Sequence, residues 1–214
     1  MPESVATAPV LAALAENACP LCTLRRQAES ALLESFFREM VMDGRCREAL
    51  VREGLCPHHL RLVMAAPDKL GGALALQALV EAHLRHPGAA RATSCYICGF
   101  LARTEGRHAG VLLDLFDSGG EGRRAIEAAP AGFCLPHLDV LEACRAPRQS
   151  SAQEREFREY CGRTRQKVLQ ELDRDLGWFI RKFDYRMAGE PWRGAEDAVE
   201  RAVRALAGLP GLRL

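Results

Sequence analysis

An all-α fold built on an internal duplication is predicted by three features of this sequence of 214 residues. Alanine, leucine and arginine, which are good helix formers, are its dominant residues. β-branched residues are few, and no stretch alternates Val, Ile or Thr with polar residues as a strand does. A Cys-x-x-Cys motif followed by a Cys-x-x-His motif occurs twice, as expected of a repeat.

The two repeats match in their motifs and in the spacing between them. Residues 19–22 (CPLC) correspond to residues 95–98 (CYIC). Residues 54–60 (GLCPHHL) correspond to residues 132–138 (GFCLPHL). The second repeat is slightly longer, which fits a turn at Gly119-Gly120.

Each repeat begins with an amphipathic helix, because apolar residues recur with a period near that of the α-helix. In the first repeat this stripe consists of Leu24, Ala28, Leu32, Phe36 and Met40. In the second repeat it consists of Phe100, Thr104, His108, Leu112 and Phe116. Shorter helices are predicted over residues 45–52 and 121–128, and another helix starts near each Cys-x-x-His motif.

Three further helices complete the predicted fold. A linker helix over residues 72–85 is expected to be buried through Leu74, Leu76, Leu79, Val80 and Leu84. Residues 151–187 are predicted to form one long helix with a charged, solvated face and a core stripe of Val168, Leu169, Leu172, Leu176, Phe179 and Phe183. A last helix over residues 196–207 ends at Gly208.

We interpret the chain as three segments that pack into one compact unit. Residues 1–87 contain the first repeat, its metal site and the linker helix. Residues 88–148 contain the second repeat and its metal site. Residues 149–214 contain the C-terminal helices, which are expected to pack on both repeats.

The motifs predict two Cys3His metal sites, one in each repeat, because structural zinc takes four Cys or His ligands in a tetrahedron. The first predicted site consists of Cys19, Cys22, Cys56 and His59. The second predicted site consists of Cys95, Cys98, Cys134 and His137. His59 is preferred over His58 as a ligand because His137 occupies its position in the second repeat.

Two zinc ions are the favoured cofactors, and other interpretations of the cysteines stay open. Iron–sulfur clusters are the main alternative, although all-Cys ligation is more common for them. The cysteines can also be small buried hydrophobes, as we expect for Cys46, Cys144 and Cys161. A thiol–disulfide function is less well supported, because the βαβ pattern that accompanies it is missing. A site with four protein ligands has no open position for catalysis.

The length of the first amphipathic helix constrains the first predicted site. A helix from Cys22 to Asp43 would end about 30 Å from the first ligand pair. Only about a dozen residues then return to Cys56. Closure of this site is therefore predicted to be tight.

Charge and hydropathy restrict the partners. There are 29 Lys and Arg residues and 28 Asp and Glu residues, so the formal charge of +1 gives no overall electrostatic reason to bind nucleic acid or an anionic membrane. No apolar run approaches the roughly 20 residues of a membrane span. We expect a cytoplasmic protein whose partner is another protein, and in that compartment nine cysteines favour metal or redox chemistry over disulfides.

In these motifs the chain resembles a family of uncharacterised prokaryotic proteins of unknown function, which share a doubled CPxC…GxC-x-x-H arrangement. The resemblance covers about residues 17–208 and includes residues 73–76 (ALAL), residues 182–186 (KFDYR) and Trp192. Tyr96 departs from the family, which more often has Pro at that position, but the ligands are intact. The resemblance implies metal binding at the eight motif positions and no known activity.

A second candidate site is the segment from Lys182 to Trp192. Lys182, Tyr185 and Arg186 in it are candidates for binding a cofactor or small molecule. The preferred alternative is a helix end packed on the core, with its cations favoured by the C-terminal dipole. No Walker loop, dinucleotide fingerprint or HExxH motif occurs, and no catalytic residue is assigned. A zinc-containing scaffold or adaptor is therefore the predicted function, with iron–sulfur electron transfer and a small-molecule enzyme or sensor as alternatives.

Overall fold

The computed structural model describes residues 7–66, 68–85, 87, 94–145, 151–187 and 189–208. Within these residues it contains α-helices and short 3-10 turns but no strand, which confirms the predicted all-α class. The helices are α1 (Thr7–Leu14), α2 (Pro20–Arg38), α3 (Gly44–Glu53), α4 (Pro57–Ala65), α5 (Lys69–Arg85), α6 (Tyr96–Ser118), α7 (Gly120–Glu127), α8 (Leu135–Arg145), α9 (Ser151–Arg181) and α10 (Ala198–Ala207). None of these described helices combines the length and the hydropathy that a membrane span requires.

The chain forms two compact units, each with a core of its own. Unit 1 comprises Met1–Leu24 and Gly106–Leu214, and unit 2 comprises Arg25–Glu105. The division into segments 1–87, 88–148 and 149–214 stays a prediction, and its boundary residues 88 and 149 lie outside the described residues.

Polar residues define several helix ends. The Asp43 carboxylate accepts a hydrogen bond from the Arg45 backbone N–H at 2.8 Å and so caps α3. The Asp68 carboxylate accepts from the N–H of Leu70 at 3.0 Å and of Gly71 at 3.1 Å at the start of α5. These bonds satisfy N–H groups that have no partner within the helix. Further along the chain, α10 ends at Gly208, as predicted, and this glycine has the left-handed conformation.

The core of unit 1 is organised around aromatic residues of α6 and α9. The ring of Phe116 lies 5.1 Å from that of Phe157 and 5.3 Å from that of Tyr160. Arg145 is buried beside them, and its guanidinium bonds both Asp117 carboxylate oxygens at 2.6 and 2.7 Å. Because an unpaired buried charge is costly, this ion pair ties α8 to the end of α6.

The core of unit 2 packs α2 against α3, α4 and the beginning of α5. Phe36 is fully buried and makes an edge contact with Phe37, with ring centroids 5.3 Å apart. Leu32 is also buried, so the predicted stripe of the first repeat faces the interior at these positions. Gly71 lets α5 approach closely, since a Cβ atom there would lie 1.8 Å from the backbone oxygen of Phe37.

The prediction that the linker helix is buried is wrong for much of its length. In α5 the small residues Gly71, Gly72 and Ala75 face the core. Leu76, Val80 and Leu84 lie on another face and are 40%, 57% and 74% exposed. Their apolar character could not reveal this, because the spacing of apolar residues does not say which face meets the core when apolar residues occur on more than one face of a helix.

The long C-terminal helix is shorter than predicted. α9 ends at Arg181, and residues 185–187 form a separate 3-10 turn. Leu172 is buried as expected, but Phe183 is 77% exposed and does not belong to the core. The Asp175 carboxylate of α9 instead bonds the guanidinium of Arg201 in α10 at 2.9 Å.

We predict that Gly71→Ala destabilises the protein, because the new methyl group would overlap the Phe37 backbone and push α5 away. Overpacking of this kind costs roughly 1–3 kcal/mol of unfolding free energy. Gly106→Ala is the matched control, since nothing lies within 4 Å of a Cβ atom there and Ala is the better helix former. Urea unfolding measures both, and equal stability of the two variants would contradict the close approach.

We also predict a pH-dependent contribution from Asp175. Burial raises the pKa of this carboxyl, but Arg174 and Arg201 outweigh that effect, so that the net pKa is lowered from 3.8. A lowered folded-state pKa contributes stability above the unfolded-state pKa, and this stability is lost as the pH falls through the folded-state value. Asp175→Asn should therefore cost up to about 1 kcal/mol near pH 6 and less near pH 3, as measured by thermal unfolding. An effect that is independent of pH would contradict this assignment.

Candidate metal centres

All four motifs lie at helix N-termini. Cys19, Cys95, Cys56 and Cys134 each immediately precede the first residue of a helix, namely of α2, α6, α4 and α8. The backbone carbonyl of each accepts the first helical bond from the residue four positions on, at 2.8–3.0 Å. The second donor of each motif then lies in the first helical turn. Backbone N–H groups and the positive end of the helix dipole stabilise thiolates there.

The first group of donors, which we call cluster A, lies in unit 1 and joins the starts of α2 and α8. It consists of Cys19, Cys22, Cys134 and His137. The His137 Nδ1 atom lies 3.3 Å from the Sγ atoms of Cys19 and Cys22 and 3.0 Å from that of Cys134. The Sγ atoms of Cys22 and Cys134 are 3.7 Å apart. Cys19 is partly buried and the other three side chains are buried.

The second group, cluster B, lies in unit 2 and joins the starts of α4 and α6. It consists of Cys56, His59, Cys95 and Cys98. The His59 Nδ1 atom lies 3.2, 3.3 and 3.5 Å from the Sγ atoms of Cys56, Cys95 and Cys98. The Sγ atoms of Cys56 and Cys98 are 3.9 Å apart. Both of these cysteines are only partly buried, so cluster B is the more accessible of the two.

All eight predicted residues belong to one or the other cluster, but the predicted pairing of the motifs is wrong. Cys19 and Cys22 converge with Cys134 and His137 rather than with the Cys-x-x-His motif of their own repeat. Each cluster thus combines the Cys-x-x-Cys motif of one repeat with the Cys-x-x-His motif of the other. From Cys22, α2 continues for about 24 Å to its end at Arg38, and the returning chain brings His59 back to Glu29, two helical turns along α2, rather than to Cys22. A site within one repeat was predicted to close tightly, and the pairing between repeats was not predicted.

The thiols of cluster A are strongly coupled. Hydrogen bonds from the thiols of Cys134 and Cys22 lower the pKa of Cys19, and the neighbouring His137 lowers it further. Hydrogen bonding with Cys134 and Cys19, together with burial, raises the pKa of Cys22. The opposite directions of these two pKa shifts mean that one thiolate is favoured at this pair and a second is opposed. A cation would relieve the repulsion that opposes further ionisation, since metal binding releases protons from such ligands.

In cluster B the pKa shifts follow burial and the helix N-terminus. Burial acts to raise the pKa of Cys56, but hydrogen bonds from the His59 backbone N–H and from Cys95 give a net lowering. Burial and the nearby Cys95 raise the pKa of Cys98 to about 12. Burial lowers the pKa of His59 and so favours the neutral imidazole, which is the form that binds metals.

Each cluster can hold one metal ion, because its four donor atoms lie within 4.8 Å of one another. The sulfur–sulfur distances of 3.7 and 3.9 Å are far longer than the roughly 2.05 Å of a disulfide bond. Three thiolates and a neutral imidazole are soft and borderline donors of the kind that zinc takes in closed structural sites.

Two residues that sequence reasoning did not connect with the clusters contact them. A Cβ atom at Gly208, where φ is +57°, would lie 3.2 Å from the Cys134 Sγ atom, so the end of α10 packs on cluster A. In unit 2 the Glu29 carboxylate lies 3.0 Å from His59 Nε2. The repeat gives a sequence signal for Glu29. A glutamate occupies the equivalent position in both repeats, because Glu105 follows Cys98 at the same spacing at which Glu29 follows Cys22.

The Lys182–Trp192 segment folds back on the end of α9, where the Trp192 ring lies 5.6 Å from that of Phe179. Lys182 donates hydrogen bonds to the backbone carbonyls of Met187 at 2.8 Å and Glu190 at 2.6 Å, and its ammonium group lies over the Trp192 ring. Tyr185 is 85% exposed, and Arg186 is exposed and paired with Asp184. The candidate residues Lys182, Tyr185 and Arg186 therefore do not converge on a cavity.

Packing was predicted for all three remaining cysteines, and two of them pack in the core of unit 1. Cys161 is fully buried in the core, and burial raises the pKa of its thiol to about 12. Cys144 packs against the same core. Cys46, in unit 2, is partly buried.

Comparison with known proteins gives a family and no activity. Two segments, residues 1–86 and 83–210, each match the model described as "Family of unknown function (DUF6062)". Each match contains one Cys-x-x-Cys and one Cys-x-x-His motif, which confirms the duplication. No curated protein and no solved structure matches the chain.

We predict that pairs of serine substitutions will distinguish the two possible pairings. Cys19→Ser with Cys134→Ser removes two donors of cluster A, so the protein should lose one of two metal equivalents. Cys19→Ser with Cys56→Ser removes one donor from each cluster and should weaken both. The metal content per chain, measured by elemental mass spectrometry after gel filtration, distinguishes the two pairings. The reverse pattern would support sites within each repeat.

Proposed function

This chain belongs to the family of unknown function DUF6062, and we propose that it is a non-catalytic scaffold or adaptor whose fold is held together by two structural zinc ions. One observation carries the proposal. In each of two clusters, three thiols and one imidazole nitrogen converge within 4.8 Å at the ends of two helices. Such a set is complete without water or substrate, which is the property that separates structural zinc sites from catalytic ones.

The spacing of the donors supports a single ion in each cluster rather than an iron–sulfur cluster. A tetrahedron with zinc–sulfur bonds of the usual length has sulfur–sulfur edges of about 3.8 Å. The clusters have such edges of 3.7 and 3.9 Å. An iron–sulfur cluster distributes its four ligands over at least two iron atoms, so ligands on different irons lie further apart than one tetrahedral edge, whereas all four donor atoms of each cluster here lie within 4.8 Å of one another. Among first-row metals zinc combines the tetrahedral preference with affinity for thiolates.

A scaffold or adaptor is supported by what surrounds the clusters. Each set of donors is closed, so neither ion would have a free position for a substrate. Lys182, Tyr185 and Arg186, the other residues considered for binding, are engaged with backbone carbonyls or exposed to solvent. The formal charge of +1 supports a protein partner over nucleic acid.

Elemental analysis and a visible absorption spectrum of the same purified sample test the identity of the metal. We expect two zinc ions per chain and a colourless protein. Iron together with a brown absorbance would overturn the zinc proposal and make electron transfer the working hypothesis. A protein purified without metal that also fails to bind added zinc would overturn metal binding altogether.

We predict that removal of the metals unfolds much of the protein. Structural zinc contributes about 10 kcal/mol or more to small domains, and each cluster here fastens two helices of one unit. A strong chelator should lower the helical circular dichroism signal and the Tm, and added zinc should restore both. A chelated protein that retains its helicity and melts at the same temperature would show that the sites are not structural.

The adaptor part of the proposal has a test of its own. Cross-linking of the intact protein in its native cells, followed by identification of the attached molecules, should yield a reproducible protein partner. Recovery of nucleic acid instead, with binding that weakens steeply as salt is raised, would overturn this part and leave the zinc assignment untouched.

A further inference from the structure

Glu29 forms a hydrogen bond with a donor of cluster B. It lies on α2, two helical turns after Cys22. Its Oε1 atom is 3.0 Å from Nε2 of His59 and 3.5 Å from Nε2 of His58. The Glu29 side chain is only 13% exposed, so solvent competes weakly for this carboxylate.

The position of the sulfur atoms determines which nitrogen of His59 carries the proton. All three Sγ atoms of cluster B face Nδ1, at 3.2–3.5 Å. A metal at the centre of the cluster takes the lone pair of Nδ1, so that the neutral ring must carry its proton on Nε2. That N–H points to the Glu29 carboxylate and donates the hydrogen bond.

We propose that Glu29 is a positioning residue of cluster B: it holds the His59 ring in the tautomer and orientation that bind the metal, and it makes Nδ1 a stronger donor. The proposal rests on metal binding at this cluster, as set out above. Carboxylates that accept from a ligating histidine act in this way at zinc sites, and their loss typically costs about 10–100-fold in metal affinity. Glu29 therefore sets how tightly cluster B retains its ion.

His58 offers a competing role for the same carboxylate. Glu29, His58 and His59 form a third group of donors within 4.8 Å of one another, at the edge of cluster B. An ion bound by this group would have to replace the proton on Nε2 of His59 while Nδ1 binds the ion of cluster B. A neutral imidazole gives up that second proton reluctantly, so we assign Glu29 as a hydrogen-bond acceptor and not as a ligand.

The test compares Glu29→Ala and Glu29→Gln with the wild type, using zinc-loaded full-length protein and a chromogenic chelator that reports the release of each ion. In Glu29→Ala one of the two zinc equivalents should bind 10–100-fold more weakly, and the other should be unchanged. In Glu29→Gln the effect should be smaller, because the amide oxygen still accepts the hydrogen bond. The weakened equivalent should be the one that a Cys56→Ser variant lacks.

Glu34→Ala is the matched control, since Glu34 lies on the same helix and is 62% exposed in an ion pair with Arg38. It should leave the affinity for both ions unchanged. Cobalt substitution gives a second readout: the visible bands of one of two bound cobalt ions should shift in Glu29→Ala. A general loss of folding would not produce a change confined to one ion.

The outcomes separate this inference from the proposed function. Wild-type protein that binds no zinc would overturn both. Two tightly bound zinc ions in the wild type, with the same release from Glu29→Ala, would overturn the role of Glu29 alone. A third equivalent that binds the wild type and is lost in both His58→Ala and Glu29→Ala would also overturn it, because the carboxylate would then be a ligand.

Discussion

The structure depends on the convergence of thiols and an imidazole at helix N-termini. Each unit brings two helix starts together at one cluster, where backbone N–H groups favour the thiolate form. Without a cation, ionisation of Cys19 opposes that of Cys22, because hydrogen bonding among the thiols lowers the pKa of Cys19 and raises that of Cys22. The helices that carry the cysteines also carry the core residues, such as Leu24 of α2 and Leu138 of α8 in unit 1. The positions of these helices and the geometry of the clusters are therefore set together.

Local features of the fold could be predicted from the sequence because they depend on neighbours along the chain. The stripe that includes Leu32 and Phe36, the helix end at Gly208 and the donor motifs all follow from spacing over a few residues. The pairing of the motifs could not be read in this way. The two Cys-x-x-His motifs are chemically equivalent, so ligand chemistry does not say which one meets Cys19 and Cys22. The path of the chain decides it, and only the length of α2 gave a hint.

Surface features were harder to predict for a different reason. In α5 apolar residues occur on more than one face, so composition could not separate Ala75, which is buried, from Val80, which is exposed. At the end of α9 the mixture of charged and aromatic residues resembled a binding site. Lys182 instead bonds backbone carbonyls beyond the helix, which is a contact that depends on the path of the following loop. Glu29 was overlooked because its importance comes from a residue 30 positions away.

The exchange of motifs between repeats imposes an order on assembly during synthesis. The donors of cluster B are complete once Cys98 has emerged, since Cys56 and Cys98 are 42 positions apart. Cluster A is complete only after Cys134 and His137 have been made, because Cys22 and Cys134 are separated by 112 positions. At a translation rate of about 5–20 residues per second, the first thiols made are the last to find their partners, with a delay of several seconds or more. A metal ion bound at cluster A would thus report that most of the chain has been made.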